Sequence, residues 1–399
     1  MPITLKDVRE AQARIAPYIR RTDIAQMALP LGGEIYIKME NLQYTGAFKV
    51  RGAFNCMLQL TEEQRNAGVL AASAGNHAQG VARAANALSI ACTIVMPMTA
   101  PLSKITATEQ YGAKVVLSGN NYDDACAYAL RLVEETGATF IHPFNDERVI
   151  AGQGTLGLEI LEDVKDVGQI LVPVGGGGLA AGVALAVKAV DPTVSVIGVE
   201  PKSAACMRCS IDAGRIVTLA SSVTIADGIA VKTPGDITYP LCRDLLDDVI
   251  TVDDDDIARA ILHLLEKCKI VSEGAGAAGV AALLTGKARP LPDGRPTVAL
   301  LSGGNIDVTM VARIIDKGLI RTGRKTLIRT TLSDKPGQLV KLLSIIATTG
   351  ANIVAVQHDR MAADMNVTES AVEIELETRD RRHVFEIMST LEDEGYRLT

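Results

Sequence analysis

The chain has 399 residues, enough for two or three domains around a large core. Apolar residues make up 48% and charged residues 22%, a globular rather than disordered balance. Aromatic residues at 3%, no Trp and a net charge of −7 argue against nucleic acid as a partner, which would call for stacking rings and basic surface. No run is long and apolar enough to expect a membrane span. The start, Met1 to Asp7, has neither the basic block nor the apolar block of a signal peptide. Seven cysteines, an odd number scattered through regular segments, point to a reducing cytoplasm.

In chain order, 5–20 has helical spacing and 34–40 alternates like a strand. Thr45-Gly46-Ala47-Phe48-Lys49-Val50-Arg51-Gly52-Ala53 should then open a helix. Short apolar runs at 68–72, 91–97 and 114–117 read as strands between helical segments. A second series has strands at 170–174, 195–200 and 297–301. Strand–helix alternation predicts parallel sheets with helices on both faces, here as two doubly wound lobes. The smaller lobe is expected at roughly 40–150 of a unit spanning 1–320, with the site in the cleft at the carboxyl ends of strands. After a basic linker at 321–325, the pattern becomes strand 326–332, helix 336–349 with Pro336 in its first turn, strands 352–358 and 370–377, and helix 381–394. This β-α-β-β-α order, with a final short strand, is a split βαβ plan over 326–399.

Four stretches carry candidate chemistry. Lys49 sits between Phe48 and Arg51 with small residues close by; a desolvated lysine amine forms Schiff bases with carbonyls, although taken alone it reads better as a solvated lysine at a plain helix start. Ser73-Ala74-Gly75-Asn76-His77 joins a strand to a helix, where backbone amides bind anions; Ser73 and Asn76 also suit plain capping, and His77 alone suits packing. Gly175-Gly176-Gly177-Gly178-Leu179 follows a buried strand and brings backbone donors around a phosphate. The same region matches a dinucleotide fingerprint, Gly175-x-Gly177-x-x-Ala180, with Glu200 near the ribose position; that reading leaves Lys49 without a task. Ser302-Gly303-Gly304-Asn305 ends the last strand, as a turn often does. Cys206 and Cys209 have metal-pair spacing but lack a second pair, so unpaired thiols and no metal are expected.

Together these motifs, in this order over residues 5–320, resemble the fold-type-II pyridoxal-phosphate enzymes (tryptophan synthase β-like), and within them threonine dehydratases, or threonine ammonia-lyases. The resemblance implies that Lys49 holds the cofactor aldehyde and removes the substrate Cα proton. Phe48 flanks it, Asn76 faces the phenolate oxygen, 175–178 with Leu179 grip the phosphate, and Ser302 faces the pyridine nitrogen. It also places the substrate carboxylate on Ser73, Ala74, Gly75, Asn76 and His77. The implied reaction is water elimination from L-threonine to give 2-oxobutanoate and ammonia, with L-serine giving pyruvate. A related dehydratase or racemase, acting on serine or 3-hydroxyaspartate, is the alternative. Ala74 stands where the racemases carry a serine, and Cys206 where they carry a second acidic metal ligand, which favours elimination without a divalent metal. Ala47 replaces a serine of many relatives. The segment 225–230 and Glu273 resemble cleft residues, or equally a turn and a helix cap.

The tail resembles a ferredoxin-like ACT regulatory domain through Asp334-Lys335-Pro336-Gly337-Gln338-Leu339 and Gly350-Ala351-Asn352-Ile353. An amino-acid effector would touch Gly337, Leu339 and Asn352, unless the module only dimerises. A homodimer or homotetramer is expected.

Overall fold

The computed structural model describes residues 3–29, 32–361 and 366–398. It divides into two compact units, Met1–Ile306 and Asp307–Thr399.

The first unit holds two sheets. Strands β1 (Ile24–Gln26), β2 (Ile35–Met39), β7 (Gln169–Pro173), β8 (Ser195–Pro201), β9 (Asp248–Val252) and β10 (Thr297–Leu301) form the larger one, in the order β1-β2-β10-β7-β8-β9. All its neighbours are parallel except β1, which runs antiparallel to β2 at one edge. Strands β3 (Val69–Ala72), β4 (Cys92–Met96), β5 (Lys114–Leu117) and β6 (Thr139–Phe140) form the smaller, all-parallel sheet, ordered β5-β4-β3-β6. The central strands β7 and β10 are buried at every position. That burial on both faces is why they read as continuous apolar runs rather than alternating ones. Strands β1, β6 and β9 escape the sequence pattern because they are short or carry polar edges.

The helices that cover β7 and β10 are apolar all round. Gly178–Val190 and Gly274–Leu284 are buried along nearly their whole length. Glycines let helix Glu147–Asp163 cross Gly178–Val190 at close range. A Cβ on Gly182 would meet the Ile150 carbonyl at 2.4 Å, and one on Gly154 the Gly182 carbonyl at 2.7 Å.

A buried ion network anchors helix Lys49–Met57. The Arg51 guanidinium, wholly buried, donates to Glu40 at 2.8 Å and to Glu159 at 2.6 Å. Lys38, equally buried, reaches Glu159 at 2.8 Å, and the Thr22 hydroxyl donates to Glu40 at 2.6 Å. Each buried charge therefore meets an opposite charge or a hydrogen bond, the condition under which such groups are tolerated.

The second unit contains helix Val308–Thr322, then β11 (Lys325–Ser333), helix Gln338–Thr348, β12 (Asn352–Asp359), β13 (Glu369–Glu377) and helix Arg381–Asp393. Its antiparallel sheet has the order β11-β13-β12, and Leu398 bridges to Thr330 on the outer side of β11. This is the ferredoxin-like α+β plan. Alternate residues Ile328, Thr330 and Leu332 of β11 face the core, as period-two patterning requires. Two boundaries differ from the sequence reading. The basic segment 321–325 is a tight turn rather than a free linker: Thr322 ends a helix, Gly323 has φ +70°, and Lys325 opens β11. Pro336 is not in a helical turn, because Gly337 at φ +90° holds the backbone left-handed and the helix begins only at Gln338. Among the described residues no helix is long and apolar enough to cross a membrane.

Candidate active site

Three loops leave the carboxyl ends of parallel strands in the first unit. Ser73 follows β3, the four glycines follow β7, and Ser302 follows β10. The cleft at these ends is lined by Lys49, Asn76, Gly175, Gly176, Gly177, Gly178, Leu179 and Ser302, with Phe48, Phe144 and Glu273 completing its wall.

Lys49 opens its helix, and the loop before it is laced to the loop after β10. The Phe48 amide donates to the Ser302 carbonyl at 3.0 Å and the Gly304 amide to the Gly46 carbonyl at 2.9 Å. The Asn305 side chain donates to the Thr45 carbonyl at 2.8 Å. Ala47 lies in this ladder, bridged through its main chain to Gly303. The Lys49 ammonium donates to the Pro143 carbonyl at 2.8 Å and stands 5.2 Å from the Phe48 ring centroid. Burial pulls its pKa down to about 8, against the opposing charge of Glu273. An amine in that range supplies both a neutral nucleophile and a proton acceptor near neutral pH.

Asn76 begins helix Asn76–Ala87 and is held from both sides. Its amide group donates to the Glu273 carboxylate at 2.7 and 3.0 Å, and its oxygen accepts from Asn305 at 2.8 Å. Burial raises Glu273 to about 7 despite that donation. Glu273 is thus a cleft residue; its side chain makes no cap on the helix it precedes. In the 225–230 segment, Gly228 and Ile229 also line the cleft.

The other members of the 73–77 loop are placed differently. Ser73 accepts from the Gly75 amide at 3.1 Å, Ala74 packs against the smaller lobe's core, and Gly75 has open space where a Cβ would stand. His77 is buried, its Nε2 2.8 Å from the Ile141 carbonyl, and it is not on the cleft wall. Burial and the nearby Lys49 charge push His77 down to about 3, so it stays neutral. Sequence reasoning missed His142, which lies close enough to feel the Lys49 charge. Burial takes it down to about 4, and its Nδ1 accepts the Phe144 and Asn145 amides at 3.2 and 2.8 Å. The ring proton therefore sits on Nε2.

The glycine loop is closed behind its own backbone. A Cβ on Gly176 would lie 2.4 Å from the Phe144 ring, and one on Gly178 2.7 Å from the Phe144 carbonyl. Gly177 has φ +98°, a conformation that favours glycine. The first amides of helix Gly178–Val190 have no intrahelical acceptor, so a phosphate finds donors there without a cationic side chain. Glu200, by contrast, is fully buried, and its two oxygens accept the Met207 and Arg208 amides at 2.9 and 2.8 Å. It is not available to the hydroxyls of a ribose. Cys206 is buried and Cys209 exposed, both as free thiols. Among the described residues no group of three or more His, Cys, Asp or Glu side chains is arranged to hold a metal ion.

A lysine amine beside an anion cradle is the arrangement a phosphorylated aldehyde requires, and the family described as pyridoxal-phosphate dependent enzyme matches residues 15–303. The chain belongs to this family. Pyridoxal phosphate is its cofactor, and the donor set fits: an amine suited to an aldehyde, backbone amides suited to a phosphate, and the polar side chains of Asn76 and Ser302 on the same cleft wall. The chain is 51% identical over 397 residues to an L-threonine ammonia-lyase of Thermotoga maritima, covering 99% of this chain and 98% of that one. The solved structure of a threonine deaminase from T.th. has a TM-score of 0.72 and 43% identity, covering 76% of this chain and 99% of that one. Maize serine racemase has a TM-score of 0.75 and 40% identity, covering 80% and 99%.

In the tail of this pyridoxal-phosphate enzyme, Gly337 supplies the left-handed turn and Leu339 packs on the unit's core. The Asn352 amide donates to Glu377 at 2.8 Å.

Proposed function

We propose that the protein is an L-threonine ammonia-lyase that converts threonine to 2-oxobutanoate and ammonia, and serine to pyruvate. The observation that carries this is the depressed amine of Lys49 in the same cleft as the glycine cradle, together with full-length likeness to the Thermotoga maritima enzyme. When bound, pyridoxal phosphate supplies an aldehyde that joins amines and a ring that withdraws electrons from the substrate α-carbon. The amides at 175–178 would hold its phosphate, and Asn76, positioned by Glu273 and Asn305, would face the ring oxygen. The Ser302 hydroxyl, on the cleft wall, would face the ring nitrogen; being far less acidic than a carboxyl, it would not protonate that nitrogen. Amides at the start of helix Asn76–Ala87 receive the substrate carboxylate. Neutral Lys49 would take the α-proton at Nζ; the C–H electron pair would expel the β-hydroxyl, which leaves as water on gaining a proton.

Racemisation is the second reading, favoured by the likeness to maize serine racemase. It needs an acid on the face opposite Lys49, and the family resemblance puts Ala74 where the racemases carry the serine for that task. The tail acts as an ACT regulatory domain, with an amino-acid effector at Gly337, Leu339 and Asn352, on a cytoplasmic homodimer or homotetramer. The test is 2-oxo acid release from threonine, serine and 3-hydroxyaspartate, with chiral analysis of the remaining substrate. Threonine should lead, and Lys49→Ala should abolish turnover and the near-visible absorption of the cofactor together. Retention of both in that variant refutes the assignment.

A further inference from the structure

Four consecutive glycines carry no side chains that could pack and fix their peptide planes. Main-chain donors hold part of the loop: the Ala181 amide reaches the Gly177 carbonyl at 2.8 Å and the Gly235 amide the Gly176 carbonyl at 3.3 Å. In this protein three successive carbonyls of the loop each receive a side-chain donor. The Cys206 thiol lies 3.6 Å from the Gly175 carbonyl, the Thr238 hydroxyl 2.5 Å from that of Gly176, and the Cys242 thiol 3.6 Å from that of Gly177. The donors come from two helices, Cys206–Ala213 and Thr238–Leu245, and none of the three lines the cleft. All three side chains are fully buried. Burial pushes both thiols well above the usual range, so they keep the hydrogen that a donor needs.

A trans peptide is planar, with its C=O and N–H on opposite sides. Holding the carbonyls of Gly175, Gly176 and Gly177 to the rear therefore aims the amides of Gly176, Gly177 and Gly178 the other way. We propose that Cys206, Thr238 and Cys242 are positioning residues that clamp the glycine loop from behind and orient its amides toward the cofactor phosphate. This rests on the reading of the loop as the phosphate site. Thr238 is the strongest member. Its hydroxyl also accepts from the Gly235 amide at 3.0 Å, which orients the hydroxyl's own hydrogen. Cys206 is the weakest member: Glu200 caps the helix that starts there, but its carboxylate also competes with the Gly175 carbonyl for the single thiol hydrogen. Nothing in the spacing of these residues reveals the clamp, because 206, 238 and 242 meet the loop only through the tertiary fold.

The test compares apo-protein binding of pyridoxal phosphate with binding of pyridoxal, which lacks the phosphate. Thr238→Val keeps the shape and removes the donor; Thr238→Ser restores it. Wild type should bind pyridoxal phosphate far more tightly than pyridoxal. Thr238→Val should weaken pyridoxal phosphate by about 10-fold, the scale of one hydrogen bond, and leave pyridoxal unchanged, with Thr238→Ser close to wild type. Unchanged pyridoxal binding also shows that the variant is folded. The combined Cys206→Ala, Cys242→Ala variant should show a smaller loss of the same kind, because thiols are weak donors. Equal loss of both ligands in Thr238→Val, or loss of neither, overturns the clamp. Wild type that fails to discriminate the ligands overturns the phosphate reading of the loop itself.

Discussion

Gly176→Ala separates shape from backbone strain at the cofactor cradle. Gly176 is not among the glycines with a left-handed φ, so alanine fits its backbone. The added methyl, however, would stand 2.4, 2.4 and 2.5 Å from three carbons of the Phe144 ring, where non-bonded carbons rest at about 3.5–4.0 Å. Loop or ring must retreat by roughly 1 Å. In the apo-protein the cleft gives room for that retreat; with cofactor bound the room is taken, so the strain falls on binding. Overpacking of this kind costs about 1–3 kcal/mol, which weakens pyridoxal phosphate by about 5- to 150-fold. Equilibrium titration of the apo-protein, followed by cofactor absorption, reads the change. Phe144→Ala removes the obstacle, so the double variant should bind more tightly than the two single losses add up to. Wild-type affinity in Gly176→Ala, or simple additivity in the double variant, would refute the reasoning.

Three further outcomes follow from buried groups and from the two units. Burial raises Glu200 from an ordinary 4.5 to about 7, so the folded state holds this proton to higher pH than the unfolded chain does. Its contribution to stability is full below about pH 4.5 and is lost as pH rises to about 7, in total roughly 3 kcal/mol. Glu200→Gln does not titrate, so its apo-protein melting temperature relative to wild type should rise between pH 5 and 8; a constant difference contradicts this. Arg51→Ala strands Glu40 and Glu159 without their guanidinium and should cost about 3–5 kcal/mol in chemical denaturation. A loss under about 1 kcal/mol would mean the network is dispensable. Removing residues 326–399 should leave turnover and abolish any response to isoleucine, valine or serine as effectors; a retained response places regulation outside the tail.

The parts of the fold legible in the sequence are those that local pattern determines. Runs such as 170–174 and 297–301 announce buried parallel strands because both faces are apolar, and each motif loop follows such a run. Lys49, Asn76, the glycines and Ser302 could be placed because their strands could. The contrary cases are non-local. The pairing of Asn76 with Glu273 spans almost two hundred positions, and no spacing rule links them. Glu200 looks like a ribose ligand in one dimension, yet its carboxylate caps the start of a helix a few residues later. His77 lies in a motif but turns its ring toward Ile141, because the first turn of a helix points successive side chains in different directions. His142 follows a strand of only two residues, too short to register as an element.

The neighbours of the glycine loop also set how this site is able to change over generations. At Gly176 the obstacle is a side chain, so a lineage that shrinks Phe144 opens that position to alanine, and the two sites should drift as a linked pair. At Gly178 the obstacle is the main chain of residue 144, which no codon change removes. The first glycine is negotiable with one partner; the second is closed for as long as this backbone persists.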